Sequence, residues 1–287
     1  MALANSQIRI ITRNLARTAT LSAEPDVSNV ASMPVTNMQN SNRTLSFRNT
    51  AVEVDDVITI HVELSERKPL SAIVLDGHNL KAGDIWRAKL YSGPENTGTE
   101  TILEWTEALV PKTVGELDWG IDDLVATVFD NWDRAYSVLW FGVIGVQSID
   151  IEIISEENPD GYVDINRLVF GLATSPSRNF TFGYELDYLD TSTLELTEGG
   201  SPKSEQGVLR RIIKTTLPRI NDATERSTWA DFLRSSGQYS EVFISLFPEQ
   251  GGKRERDHSM VCVVINRSAL KNRNATSHTI DITFQET

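Results

Sequence analysis

The segment that most constrains this chain is Gly161-Tyr162-Val163-Asp164-Ile165-Asn166-Arg167-Leu168-Val169-Phe170-Gly171, a strand-like run with glycine at both ends. A strand cannot satisfy its own backbone N–H and C=O groups, so it must find a partner elsewhere in the chain. The expected partner lies about ninety residues upstream, at Ile58-Thr59-Ile60-His61-Val62-Glu63-Leu64. There the apolar positions recur with period two, placing Ile58, Ile60, Val62 and Leu64 on one face and Thr59, His61 and Glu63 on the other. Leu70 to Asp76 follows, more continuously apolar, as a central strand buried on both faces would be, and Gly77-His78-Asn79-Leu80 supplies a turn. Strands that far apart, with a turn after each, are what a Greek-key sandwich requires.

Further strands are expected at Trp86 to Tyr91, with Arg87 and Lys89 outward, at Leu139-Trp140-Phe141 and at Ile149 to Ile153. The first fifty residues read as loops with a few short strands, and residues 92–135 form the least regular stretch. The fold class is therefore all-β, with a sandwich or jelly roll first. A length of 287 residues suits two domains better than one. Thr174-Ser175-Pro176-Ser177 is the expected boundary, dividing residues 1–175 from residues 176–287.

Beyond that boundary the pattern restarts at Phe180, Phe182, Tyr184, Leu186 and Tyr188, which alternate with polar residues as a half-buried strand does. More strands are expected near 193–197, 208–217, 242–247, 260–265 and 279–285. One helix stands among them, at about 222–236. Pro218 should end the strand before it, Asp222 and Glu225 make a capping box, Trp229, Phe232 and Leu233 form its apolar stripe, and Gly237 caps its end. The second domain is expected to be a smaller β-sandwich flanked by this helix.

Charge separates the same two parts. Residues 1–177 carry 13 Lys and Arg against 25 Asp and Glu, a net of −12, while residues 178–287 carry 14 against 15, a net of −1. An acidic surface repels nucleic acid and anionic lipid, so neither is an expected partner. No apolar run reaches the length of a membrane span, and the N-terminus lacks the pattern of a secretory signal. The expectation is a soluble protein made in a cytoplasm, in which the sequons at Asn42, Asn179, Asn266 and Asn274 are chance matches.

Chemistry-bearing patterns are sparse. His61, His78, His258 and His278 stand apart from one another and from any cysteine or carboxylate at a metal-ligand spacing. His78 sits in a turn, where a bond to backbone is its commonest use. Cys262, the single cysteine, falls in an apolar strand and reads as a small hydrophobe. Glu53, Asp55 and Asp56 offer a calcium loop or a plain acidic turn. Lys253-Arg254-Glu255-Arg256 reads as a solvated hairpin loop, or as a basic contact for an acidic neighbour. Asp118, Asp122, Asp123, Asp130 and Asp133, interleaved with Trp119 and Trp132, offer carboxylates and aromatic faces for a sugar, or solvated acids over inward-packed tryptophans. No catalytic, cofactor-binding or metal-binding residue is assigned.

Several segments resemble minor tail proteins of long-tailed bacteriophages: Met33-Pro34-Val35-Thr36-Asn37-Met38, Thr44 to Arg48, Ile58 to Leu64, Ala72 to Leu80, Asn158 to Gly171, Pro176 to Gly183, Val242 to Pro248 and Asp257 to Met260. The resemblance implies an N-terminal discoidin-like, galactose-binding-like jelly roll, then a β domain similar in outline to tail-tube and distal-tail proteins. It implies a structural component of a tail tip or baseplate in the virion, with no cofactor and no enzymatic activity. The implied partners are hub, distal-tail or tube proteins, and further copies of the chain in a symmetric ring. Discoidin-like relatives often bind sugars through loops at one end, which leaves a carbohydrate-binding module for host surface glycans as the alternative, and a glycosidase or depolymerase behind it.

Overall fold

The computed structural model describes residues 7–110, 135–196, 202–249 and 252–287. They form two compact units. One contains residues 13–173 and 251–256, and the other contains residues 4–12, 174–250 and 257–287. In chain order the first ten strands are β1 (Arg9–Ile11), β2 (Thr20–Glu24), β3 (Phe47–Asn49), β4 (Ile58–His78), β5 (Ile85–Tyr91), β6 (Glu100–Ile102), β7 (Thr106–Glu107), β8 (Ala135–Ile154), β9 (Val163–Gly171) and β10 (Ala173–Thr174).

The first unit is an antiparallel jelly-roll sandwich. Its two long strands, β4 and β8, run side by side through both layers. The first half of β4 lies between β2 and the second half of β8, and β5 continues that layer to β6 and β7. The second half of β4 lies between β9 and the first half of β8, and β3 lies outside β9. Register shifts at Glu63/Lys68 and Leu70/Ala72 mark where the pair passes from one layer to the other. Between the layers lies one core, built from Ile58, Ile60, Val62, Trp86, Ile149 and Ile151 on one side and from Ile73, Leu75, Val163, Ile165 and Phe170 on the other.

Two expectations change here. Closing strand β9 pairs with Ala72–His78, and not with Ile58–Leu64, which pairs with Ile149–Ile153 and β2. Ile58–Leu64 and Leu70–Asp76 are also one strand, as are 139–141 and 149–153. The exposed run Ser65-Glu66-Arg67 interrupts the alternation without ending the strand, because the backbone stays extended through the bend.

The remaining elements are β11 (Glu185–Asp190), β12 (Thr193–Leu196), β13 (Pro202–Glu205), β14 (Leu209–Asn221), α1 (Arg226–Ser235), β15 (Glu241–Ser245), α2 (Gly252–Asp257), β16 (Ser259–Arg267), β17 (Lys271–Asn274) and β18 (Ser277–Glu286), all in the second unit except most of α2. The second unit is built around one sheet. Its main sheet has eight strands in the order β10-β1-β15-β16-β18-β14-β11, with β17 beside β18, while β12 and β13 pair as a separate ribbon. One face of the sheet packs Ile10, Ile213, Val242, Ile244, Cys262, Ile280 and Phe284 against Trp229 and Phe232 of α1. Cys262 is fully buried there, as its apolar neighbours imply.

Local signals in this unit were partly misleading. Pro218 does not end its strand; β14 continues to Asn221 with a shift of register between Leu217 and Ile220. A residue without an N–H is tolerated at such an irregularity. The helix begins at Arg226 with Glu225 at its N-cap and no side-chain capping bond, so Asp222 and Glu225 make no capping box. The turn before it is held by Asn221, whose Oδ1 accepts from Ala223 N–H at 2.9 Å and whose N–H donates to the Glu225 carboxylate at 2.8 Å. Gly237 has no left-handed backbone, and the chain leaves α1 through extended Ser236. Of the run from Phe180 to Tyr188, only the part from Glu185 onward is strand. Phe180 and Tyr184 instead meet Phe247 edge-on at 5.8 Å each, while Phe182 is fully exposed.

Candidate functional site

The outward face of the first unit's larger layer is a lattice of charges. Glu152 on β8 takes Arg87 at 2.6 Å and also pairs with Lys89, both from β5. Burial works to raise its pKa, but the two cations hold it below the ordinary Glu range. Next on the same face, His61 Nδ1 meets Asp150 at 2.7 Å, and Asp150 also accepts from Asn96 Nδ2 at 2.8 Å. The bond to Asp150 raises the His61 pKa against the opposing effect of partial burial, and Glu24 at 3.6 Å adds to the rise. His61 is thus on the outward face, as its place in the alternation implies, and it serves as one half of an ion pair. Its neighbours turn the 93–98 loop onto the sheet: Ser148 Oγ accepts from Asn96 N–H at 3.0 Å and donates to Gly93 O at 2.8 Å.

At the end of the same sandwich the resemblance motifs hold turns together. Asn79 Oδ1 accepts from Asp164 N–H at 2.7 Å, while its Nδ2 donates to Asp160 at 2.9 Å and to Tyr162 O at 3.0 Å. Arg48 clasps Asp164 with two bonds, of 2.7 and 2.6 Å, and lies 3.5 Å over the Tyr162 ring. Bidentate pairing fixes a guanidinium's plane as well as its position. Asp84 accepts from Ser155 Oγ at 2.6 Å and from Lys81 N–H at 2.7 Å. Each of these polar groups is engaged in closing the loops.

His78 is buried at the end of β4, where its Nε2 meets Ser137 Oγ at 2.8 Å and a backbone bond at Tyr136 also acts on the ring. Burial pushes its pKa down to about 3, so the ring is neutral at physiological pH. Ser137 is buried as well and already accepts from Leu109 N–H at 2.9 Å. A serine enclosed beside a histidine of such low basicity is a packing pair and lacks what an activated nucleophile needs.

The remaining candidates are dispersed. Asp56 caps its own turn by accepting from Glu53 N–H at 3.0 Å, and among the described residues no group of three or more His, Cys, Asp or Glu is placed to hold a metal. Asp118, Asp122, Asp123, Asp130, Asp133, Trp119 and Trp132 lie outside the described residues. Lys253 to Arg256 falls in α2 and not in a solvated loop, for Glu255 and Arg256 are buried. His258 meets Tyr184 Oη at 2.9 Å, and His278 meets Asp222 at 2.6 Å. Among the described residues no helix is long and apolar enough to cross a membrane.

A feature the periodicity did not reveal is the rim of the second unit. Strand β11 continues beyond the core as a ribbon paired with the start of β14. Tyr188 is registered against Arg211, Leu189 against Arg210 and Asp190 against Leu209, and Tyr188, Leu189, Val208 and Leu209 are exposed. Leu194 on the neighbouring β12–β13 ribbon is 73 % exposed. The outer edge of β11 has no strand partner among the described residues.

No family model and no curated protein matches the chain. Solved structures similar to it include a Ruminococcus gnavus GH29 fucosidase in complex with fucose, at 12% identity and TM-score 0.39, over 56% of this chain and 27% of that one. Another is the family 32 carbohydrate-binding module of C. perfringens NanJ in complex with galactose, at 15% identity and TM-score 0.37, over 55% and 98% of the two chains. A third is chitosan-binding module 1 of a chitosanase/glucanase from Paenibacillus sp. IK-5, at 13% identity and TM-score 0.38, over 55% and 98%.

Proposed function

We propose that this chain is a structural component of a bacteriophage tail tip or baseplate, acting through protein–protein contact and without turnover. The supporting observation is the exposure of Tyr188, Leu189, Val208 and Leu209 on one ribbon, among Asp187, Asp190, Arg210 and Arg211, beside an open strand edge. Exposed apolar side chains beside an open strand edge offer a second chain both contact area and unpaired backbone groups, the elements of strand addition. The polar networks described above agree with this reading, since they fix loops and pair strands. Hub, distal-tail or tube proteins, or further copies in a ring, are the partners this role requires.

The test is native mass spectrometry of the full chain mixed with the tail proteins encoded beside it. A complex is expected, and Tyr188→Asp with Leu189→Asp should weaken it about a hundredfold, as loss of two central apolar contacts does. Failure to associate with any of them would remove the assembly reading.

The second reading is a carbohydrate-binding module for host surface glycans. It is favoured by Trp105, half-buried at the edge of the first unit, with Arg87 4.3 Å over its ring, because a fixed aromatic face is a stacking platform. Selective binding on a glycan array, lost in Trp105→Ala, Trp119→Ala or Trp132→Ala, would support it; a blank array would exclude it.

A further inference from the structure

A polar cleft of about 240 Å³ opens in the second unit, where Ser177 and Arg178 face Arg219 and Asn221 at the end of β14 and the turn from Asn274 to Ser277. Its hydrogen-bonding groups are not evenly disposed. Asn274 Oδ1 already accepts from Thr276 N–H at 3.1 Å, Thr276 Oγ1 at 3.2 Å and Ser277 Oγ at 2.8 Å. Asn221 Oδ1 is engaged with Ala223 N–H. The carboxylate nearest the cleft, Glu225, accepts from Asn221 N–H and from both the backbone N–H and the hydroxyl of Ser177. The local amide and carboxylate acceptors are therefore committed inside the protein.

The donors are not. Arg178 and Arg219 are exposed and make no ion pair or hydrogen bond among the described residues, and the Nδ2 groups of Asn221 and Asn274 are likewise unengaged. Asp222, the other acid close by, is occupied by His278 and Arg226. Two guanidiniums and two amide donors around a small cleft, with the neighbouring carboxylates committed to other partners, complement an oxyanion.

We propose that this cleft is an oxyanion-binding site, holding a carboxylate or a similar group between Arg178 and Arg219. Such a carboxylate is carried either by a free anion or by the acidic part of a second copy, since residues 1–177 have a net charge of −12. The proposal is independent of the apolar ribbon and of the assembly reading.

The experiment is calorimetric titration of the full chain with succinate and with sulfate at constant ionic strength, galactose serving as the neutral control. Saturable one-site binding of an anion is expected, weakened about tenfold or more in Arg178→Gln and in Arg219→Gln, the scale of one charged hydrogen bond. No saturable binding, or equal binding by the folded double variant, would overturn the site. Melting temperature identifies any variant that fails to fold, and Arg178→Lys with Arg219→Lys, which keep the charge but lose the forked donors, then supply the same comparison. Sedimentation separates the sources. Self-association dispersed by succinate and by the double variant assigns the carboxylate to a second copy, whereas a monomer that still binds succinate assigns it to a free anion.

Discussion

His61 illustrates how much one residue's role depends on what packs beside it. The period-two alternation placed it outward, but its partners Asp150 and Glu24 come from strands β8 and β2, which no local pattern could pair with it. Because the folded protein raises its pKa, the stabilisation from its protonated form is complete below the unfolded value of about 6.5 and is lost as pH rises through the folded value. Denaturant titrations from pH 5.5 to 9 should show wild-type stability falling across that window relative to His61→Gln; parallel curves would refute the pair. Gly77 is the other residue whose reason is three-dimensional. Its φ is +67°, and a Cβ there would stand 2.4 Å from Asn166 Oδ1. Gly77→Ala should cost about 1–3 kcal/mol in chemical denaturation, from backbone strain and displacement of Asn166. The sequence marked Gly77-His78-Asn79 as a turn, whereas Gly77 and His78 end β4, and the burial of His78 against Ser137 was beyond any local pattern.

Among elements, strands with clean alternation were legible and their joins were not. Ile58 to Leu64 and Trp86 to Tyr91 present the faces their periodicity requires. What could not be read was that β4 and β8 each bend through both layers, since a polar interruption such as Ser65-Glu66-Arg67 looks the same in a bend as in a loop. The partner of β9 was misjudged for a related reason: both halves of β4 offer apolar faces, and only the assembled sandwich selects Ala72–His78. Helix α1 was legible from its stripe, with Trp229 and Phe232 buried and edge-on at 5.8 Å. Its ends were not: it starts at Arg226 without a side-chain cap and leaves through extended Ser236, where the residue pattern offered a capping box and a glycine. Trp229→Ala should destabilise the second unit by about 3–5 kcal/mol, read from its thermal or denaturant transition. A change below 1 kcal/mol would mean that the helix is not part of that core.

For the whole molecule, two separate apolar cores are the main physical fact, one inside the sandwich and one between the sheet and α1. The all-β class was legible because strand patterns recur along the chain. The N-terminal strand β1 was not, since nothing in Arg9-Ile10-Ile11 reveals that it pairs with β15 far along the chain. The candidate surfaces were the least legible: the apolar ribbon draws its residues from both sides of a hairpin connection, and the arginine cleft from three separate segments. The role proposed for this chain is a place in a phage tail, held there by contact. Its most direct test is immunogold electron microscopy of purified particles from the phage or prophage encoding it, with antibody raised against the full chain. Gold at the distal end of the tail, with the chain present in the particle proteome, is the result this account predicts; particles complete and infectious without the chain would contradict it.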